Sequence, residues 1–166
     1  MDKKLYGTRL YISCDHLQHN IQFLRSIAPQ SRIIAMIKAN AYGYGDIMMA
    51  KKLNNMGVNF FGVADFEEGI RLRENNIKGD IMVMNPGLNN IGIIIRHNLE
   101  PVIYSWDILY KLVFLIKEKK TDSPTIRIHI KLNTGMNRWG FNLDQLPKII
   151  FYLKEIKKIK IQSIYS

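Results

Sequence analysis

The chain has 166 residues, 47% hydrophobic and 23% charged, the make-up of a folded domain rather than of a disordered or fibrous chain. No apolar run reaches the roughly 18–20 residues of a membrane span, and the Met1–Leu5 opening has no long apolar stretch behind its charges, so a cytoplasmic protein without membrane contact is expected. The net charge is +10, but most lysines (Lys51, Lys52, Lys111, Lys117, Lys119, Lys120, Lys154, Lys157, Lys158) fall singly or in pairs on polar sides of expected helices, which reads as a solvated surface and argues against nucleic acid.

In chain order, Leu17, Ile21, Leu24 and Ala28 share a helical face, with Asp15 expected as N-cap and Gln18 as its capping-box partner. An apolar strand is expected over Arg32–Ile37, and Met49, Leu53 and Met56 then repeat a helical spacing that Gly57 stops. A strand over Asn59–Ala64 precedes a helix from about Phe66, whose Glu67 and Glu68 suit the positive first turn and whose Arg71 and Arg73 lie further on, before Gly79. Strands follow over Asp80–Met84 and Glu100–Tyr104. Ser105 is placed to cap a helix carrying Ile108, Leu112 and Leu115. A strand over Thr125–Lys131, a helix through Leu143, Leu146, Ile150 and Leu153, and a strand over Lys160–Tyr165 complete the chain. Strands alternating with helices predict βαβ units and a parallel sheet, doubly wound or closed as a barrel, within one domain spanning 1–166.

Cys14 is the sole cysteine, so neither an internal disulfide nor a thiolate zinc cluster can form, and nothing near it reads as the base of a nucleophile. His16 and His19 have ligand spacing but no third partner, so no metal is expected.

Lys38 ends a strongly apolar strand and precedes the glycine-containing segment Ala39-Asn-Ala-Tyr-Gly-Tyr-Gly45. In a parallel α/β fold the ends of strands line the ligand site, and a partly desolvated amine there can add to an aldehyde; Tyr42 is within reach of an anionic group of the same ligand. The plain alternative is a lysine reaching solvent beside an ordinary turn. Further on, Arg127, His129 and Lys131 alternate with Ile126, Ile128 and Ile130, giving a polar face that looks inward in a barrel and requires partners there. Arg138 sits between Gly135 and Gly140, where a guanidinium can serve a phenolate or carboxylate, or simply water.

Lys38-Ala-Asn-Ala-Tyr-Gly-Tyr-Gly45 and Lys131-Leu-Asn-Thr-Gly-Met-Asn-Arg-Trp-Gly140, about ninety residues apart, resemble the two N-terminal signatures of alanine racemases, and Gly62–Arg73 is also similar to that family. The resemblance implies a (β/α)8 TIM barrel that uses pyridoxal 5'-phosphate (PLP), here about its first six strands, with the family's β-rich C-terminal domain absent. It implies Lys38 as the internal-aldimine lysine and as catalytic base for the α-proton of D-alanine. Tyr42 would bind the cofactor phosphate, Arg138 the cofactor's phenolic oxygen and the substrate carboxylate, and Lys131, carbamylated in many members, would orient Arg138. Complete members are homodimers, supply D-alanine for peptidoglycan, and take their second base, a tyrosine, from the partner subunit. The 166-residue chain alone is therefore expected to be inactive. Other readings are a broad-specificity or serine racemase, a PLP-dependent decarboxylase or non-catalytic PLP-binding barrel, and a non-enzymatic basic remnant.

Overall fold

The computed structural model describes residues 10–118 and 125–166, so the Met1–Leu5 opening and Lys119 and Lys120 lie outside the described residues. Strands β1 (Ala35–Met36), β2 (Phe60–Val63), β3 (Asp80–Val83), β4 (Glu100–Ile103), β5 (Ile126–Lys131) and β6 (Ile159–Tyr165) form one sheet in the order β1-β2-β3-β4-β5-β6, every neighbouring pair parallel. A doubly wound sheet reverses its strand order at a switch point. Here each strand adds beside its predecessor in one direction, the winding of a barrel, which decides between the two architectures the alternation allows.

The pleat sorts the side chains. Phe61, Val63, Ile81 and Val83 point outward and pack with Leu53, Leu72 and Ile94; Ile103, Ile128 and Ile130 pack with Leu109, Leu112 and Ile149. These partners come from helices α2 (Asp46–Asn55), α3 (Phe66–Glu74), α4 (Ile91–Arg96), α5 (Trp106–Glu118) and α6 (Leu146–Lys154), while α1 (Cys14–Ile27) adds Ile21. Each buried aliphatic side chain contributes about 1.5–3 kcal/mol, so this outer seam carries most of the stability.

The inner face is mixed. Phe60, Met82 and Val102 form a small apolar cluster, and beneath it two of the three expected inward side chains, Arg127 and His129, find partners. Arg127 pairs with Asp80 at 2.6 Å and with Glu100 at 2.7 Å; Arg32 reaches Asp80 at 2.7 Å. His129, fully buried, hydrogen-bonds Glu100 through Nε2 and Ser163 through Nδ1, both at 2.8 Å. Burial by itself raises the Asp80 carboxyl, but the Arg32 hydrogen bond and the Arg127 and Arg32 charges outweigh it and hold the group below its ordinary range.

Several local expectations change. Ser13, not Asp15, caps α1: its hydroxyl accepts from His16 N at 3.2 Å, and Asp15 lies inside the first turn, where its charge suits the dipole. Leu24 of the expected apolar stripe is 47% exposed. β1 is only two residues long because it pairs on one side alone and the chain turns immediately after Ile37. Between β3 and β4 a 3-10 turn (Leu88–Asn90) runs into α4, a helix the sequence reading lacks. Its Ile91-Gly-Ile-Ile-Ile95 composition favours a strand, and burial of Ile91 and Ile94, three apart, overrides that preference. Leu143 belongs to a 3-10 turn ahead of α6 and is 60% exposed, so the buried stripe of α6 runs through Ile149 and Leu153. Other expected elements recur within a residue or two.

Arg73 also does more than balance a dipole. Its guanidinium donates to the carbonyls of Ile77 (3.1 Å), Gly79 (2.9 Å) and Asn98 (2.8 Å), tying together the turns that lead into β3 and β4. In the first of these turns Gly79 has φ +105°, and a Cβ there would lie 2.0 Å from the Asn59 carbonyl oxygen, against which Asp80 N makes its sheet hydrogen bond. Gly79→Ala is therefore expected to lower stability by about 2–4 kcal/mol through clash and strain together. Urea denaturation measures this, and an unchanged midpoint would contradict the close approach.

Candidate functional site

All the strands end on the same rim, and the side chains at those ends build one recess. Lys38 follows β1 directly, and Lys131 is the last residue of β5. Lys131 is buried, at 9% exposure, with its Nζ 5.8 Å from the ring centre of Tyr165, its register partner on β6. Among the described residues no carboxylate forms an ion pair with it. Arg138 lies in the loop after β5. That loop is closed at its base by Leu132 and Phe141, with Asn133 N donating to Phe141 O at 2.8 Å. Inside the loop the Asn133 side chain accepts from Asn137 N at 3.0 Å and donates to Asn137 Oδ1 at 3.1 Å, which fixes the turn that presents Arg138.

Lys38, Lys131 and Arg138 line a single cavity of about 260 Å³, walled further by Met84, Asn85 and Trp139. Trp139 stacks on Tyr104 with ring centres 4.9 Å apart and planes 8° apart, and Tyr104 OH donates to Asn85 Oδ1 at 2.9 Å. Burial raises the Tyr104 phenol, which keeps it a donor. Asn85, Tyr104 and Trp139 were not singled out from the sequence. Their signal was positional, since each stands just beyond the carboxyl end of a strand or in the Arg138 loop.

Tyr42 takes a different place. It is 60% exposed and does not line the cavity, although the Lys38 Nζ lies 6.0 Å from its ring centre. The segment joining them is not the simple loop expected of its glycines. Ala39, Asn40, Ala41 and Tyr42 all have φ between 50° and 55°, one continuous left-handed turn of non-glycine residues, followed by Gly43 at φ 92°. Each such residue costs roughly 1–2 kcal/mol, so the turn holds on the order of 4–8 kcal/mol of strain that its surroundings must offset. Hydrogen bonds do part of this. Ala41 N donates to Ile37 O at 2.9 Å, Gly45 N to Asn40 O at 2.9 Å, and Asp46 N to Asn40 Oδ1 at 3.1 Å. Asp46, buried, also pairs with Arg71 of α3. The Glu68 carboxylate accepts from Ala39 N at 2.6 Å and from Ala64 N at 2.7 Å.

Three cationic groups around one recess attract an anionic ligand, and an amine among them can add to a ligand carbonyl. Elsewhere the candidates are weaker. Among the described residues no group of three His, Cys, Asp or Glu side chains could hold a metal ion, and no helix is long and apolar enough to cross a membrane. Cys14 is half-buried at the start of α1.

The sequence matches the family described as "Alanine racemase, N-terminal domain" over residues 12–166. An alanine racemase from Coxiella burnetii is 36% identical over 151 residues, covering 90% of this chain and 40% of that protein. One from Clostridium kluyveri is 36% identical over 159 residues, covering 93% and 39%. Among solved structures, alanine racemase from E. faecalis superposes with a TM-score of 0.82 at 26% identity, covering 95% of this chain and 43% of that one. Alanine racemase from Clostridium difficile 630 gives 0.80 at 27%, covering 90% and 39%. The chain thus spans about 40% of the length of the curated relatives it matches.

Beneath the recess, Tyr165 has a buried hydroxyl without a hydrogen-bond partner among the described residues, and burial pushes its phenol up to about 12. Because the folded value is raised, stability should be flat below the unfolded phenol's pKa of about 10 and fall from there to pH about 12. Denaturation midpoints measured across that range should show the decline, and Tyr165→Phe should make it shallower, leaving the smaller share of Tyr104.

Proposed function

Because this chain belongs to the alanine racemase N-terminal domain family, we propose that it is the PLP-binding barrel domain, residues 1–166, of an enzyme interconverting L- and D-alanine. The observation that carries this reading is the convergence of Lys38, Lys131 and Arg138 on one cavity at the carboxyl ends of the strands. The donor set suits the cofactor: an amine for its aldehyde, a guanidinium for its phenolic oxygen, and an aromatic and aliphatic wall from Trp139 and Met84 for its ring. When bound, PLP supplies an electron sink that makes the substrate α-proton acidic enough to leave.

The protein's own residues then have separable tasks. Lys38 would hold the cofactor's aldehyde carbon through Nζ, and its amine would hold or move the α-proton on one face of the substrate. Arg138 offers its fork of donors to the cofactor oxygen and the substrate carboxylate. Lys131 is buried and lines the same cavity as Arg138, with no carboxylate paired to it among the described residues. Addition of carbon dioxide to its neutral Nζ amine, with loss of one proton, would leave an anionic carbamate, a partner that aims Arg138. Tyr42, outside the cavity lining, would meet the cofactor phosphate from the exposed end of the left-handed turn. Racemisation needs a second base on the opposite face, which by family likeness is a tyrosine of a partner subunit's C-terminal region. The 166-residue polypeptide alone is thus proposed to bind cofactor without racemising alanine, and the complete enzyme to be a cytoplasmic homodimer serving peptidoglycan synthesis.

Two measurements test the reading. Borohydride treatment of the protein mixed with PLP should tag Lys38 in preference to surface lysines, read by peptide mass, and Lys38→Ala should abolish the preferred tag. Indiscriminate tagging of the wild-type lysines would sink the proposal. Arg138→Ala should weaken PLP binding about 10- to 100-fold, the loss of one hydrogen bond to a charged group, measured by absorbance titration.

A further inference from the structure

We propose that Glu68 is a positioning residue for Lys38, acting through the backbone on either side of the recess; this rests on reading Lys38 as the cofactor lysine. Glu68 is the third residue of α3, whose N-cap, Asp65, already accepts from Glu68 N at 3.1 Å. In a capping box the third residue's side chain returns to the N-cap's own N–H. Glu68 instead reaches past it, one oxygen accepting from Ala64 N at 2.7 Å and the other from Ala39 N at 2.6 Å. Ala39 immediately follows Lys38 and opens the left-handed turn, while Ala64 follows β2 and lines the same cavity as Lys38. One carboxylate therefore bridges the ends of two adjacent strands at the point where the amine is presented.

Neighbouring residues make the role specific. The Asp46–Arg71 pair anchors the far end of the turn to the same helix, one helical turn beyond Glu68. Glu67 is exposed and makes no hydrogen bond or ion pair among the described residues, so a carboxylate at that position serves the helix dipole. A strained turn relaxes toward ordinary right-handed backbone when its tether is removed, and a displacement of about 1 Å in a reacting group is enough to slow its chemistry severely.

The test compares wild type, Glu68→Gln and Glu67→Gln by the ratio of borohydride-tagged Lys38 to tagged surface lysines after PLP addition. Gln keeps the length of Glu but points an amide N–H₂ at one of the two backbone N–H groups. Glu68→Gln should lower the Lys38 ratio about 10-fold or more with the far-ultraviolet dichroism unchanged, and Glu67→Gln should leave it alone. A merely structural residue would lower the melting temperature without altering that ratio in the folded protein. An unaltered ratio in folded Glu68→Gln overturns the proposal. If that variant does not fold, or if wild type shows no preference for Lys38 and the functional reading fails, amide hydrogen exchange of the wild-type protein decides. Protected amides at both Ala39 and Ala64 support the bridge, and a freely exchanging Ala39 amide refutes it.

Discussion

Arg127 and His129, placed inside a parallel sheet, are met by carboxylates from other strands, and that constraint organises the molecule. Glu100 of β4 receives Arg127 at 2.7 Å and His129 at 2.8 Å, and Asp80 of β3 receives Arg127 and Arg32. Since side chains alternate along a strand, committing Arg127 and His129 to the inside commits Ile126, Ile128 and Ile130 to the outside, against the helices. A one-residue slip of β5 would put three aliphatic groups into the polar interior and leave two cations and a histidine under α5 and α6. The same alternation carries Lys131 to the inner rim, where its depth follows from the pairing below it.

The rim is built by a second constraint, on the backbone. Short strands that all end at one level deliver Lys38, Met84, Asn85 and Lys131 to a common recess, and the Arg138 loop folds back over it through the Leu132–Phe141 bridge. Placing Lys38 there requires the chain to reverse hand for four residues. The strain is offset by the Glu68 carboxylate of α3 on Ala39 N and by Asp46 N of α2 donating to the Asn40 side chain, with Asp46 itself paired to Arg71. Strain located beside the Lys38 amine, and balanced by groups outside the recess, lets position be fixed without filling the recess itself.

The aromatic wall shows the same economy. Tyr104 and Trp139 stack face to face, and the Tyr104 hydroxyl is held by Asn85, so three residues from the ends of β3, β4 and the loop after β5 lock one another. The adjoining Arg138 inherits its orientation from that stack and from the Asn133–Asn137 hydrogen bonds.

Sequence by itself determined what depends on local pattern. The period-two alternation of β5, the apolar strands, the Ser105 cap and the two lysine-bearing signatures were readable because adjacent residues specify them. Several features needed tertiary structure, because distant partners outweigh local preference there. α4 is helical against its β-branched composition because Ile91 and Ile94 are buried, and Ala39–Tyr42 is left-handed because Glu68 and Asp46 hold it. Glu68 reads in sequence as an ordinary acidic residue in a helix's first turn. Its bridge between two strand ends exists only once β1 and β2 lie side by side, and no one-dimensional pattern encodes a hydrogen bond across 29 residues.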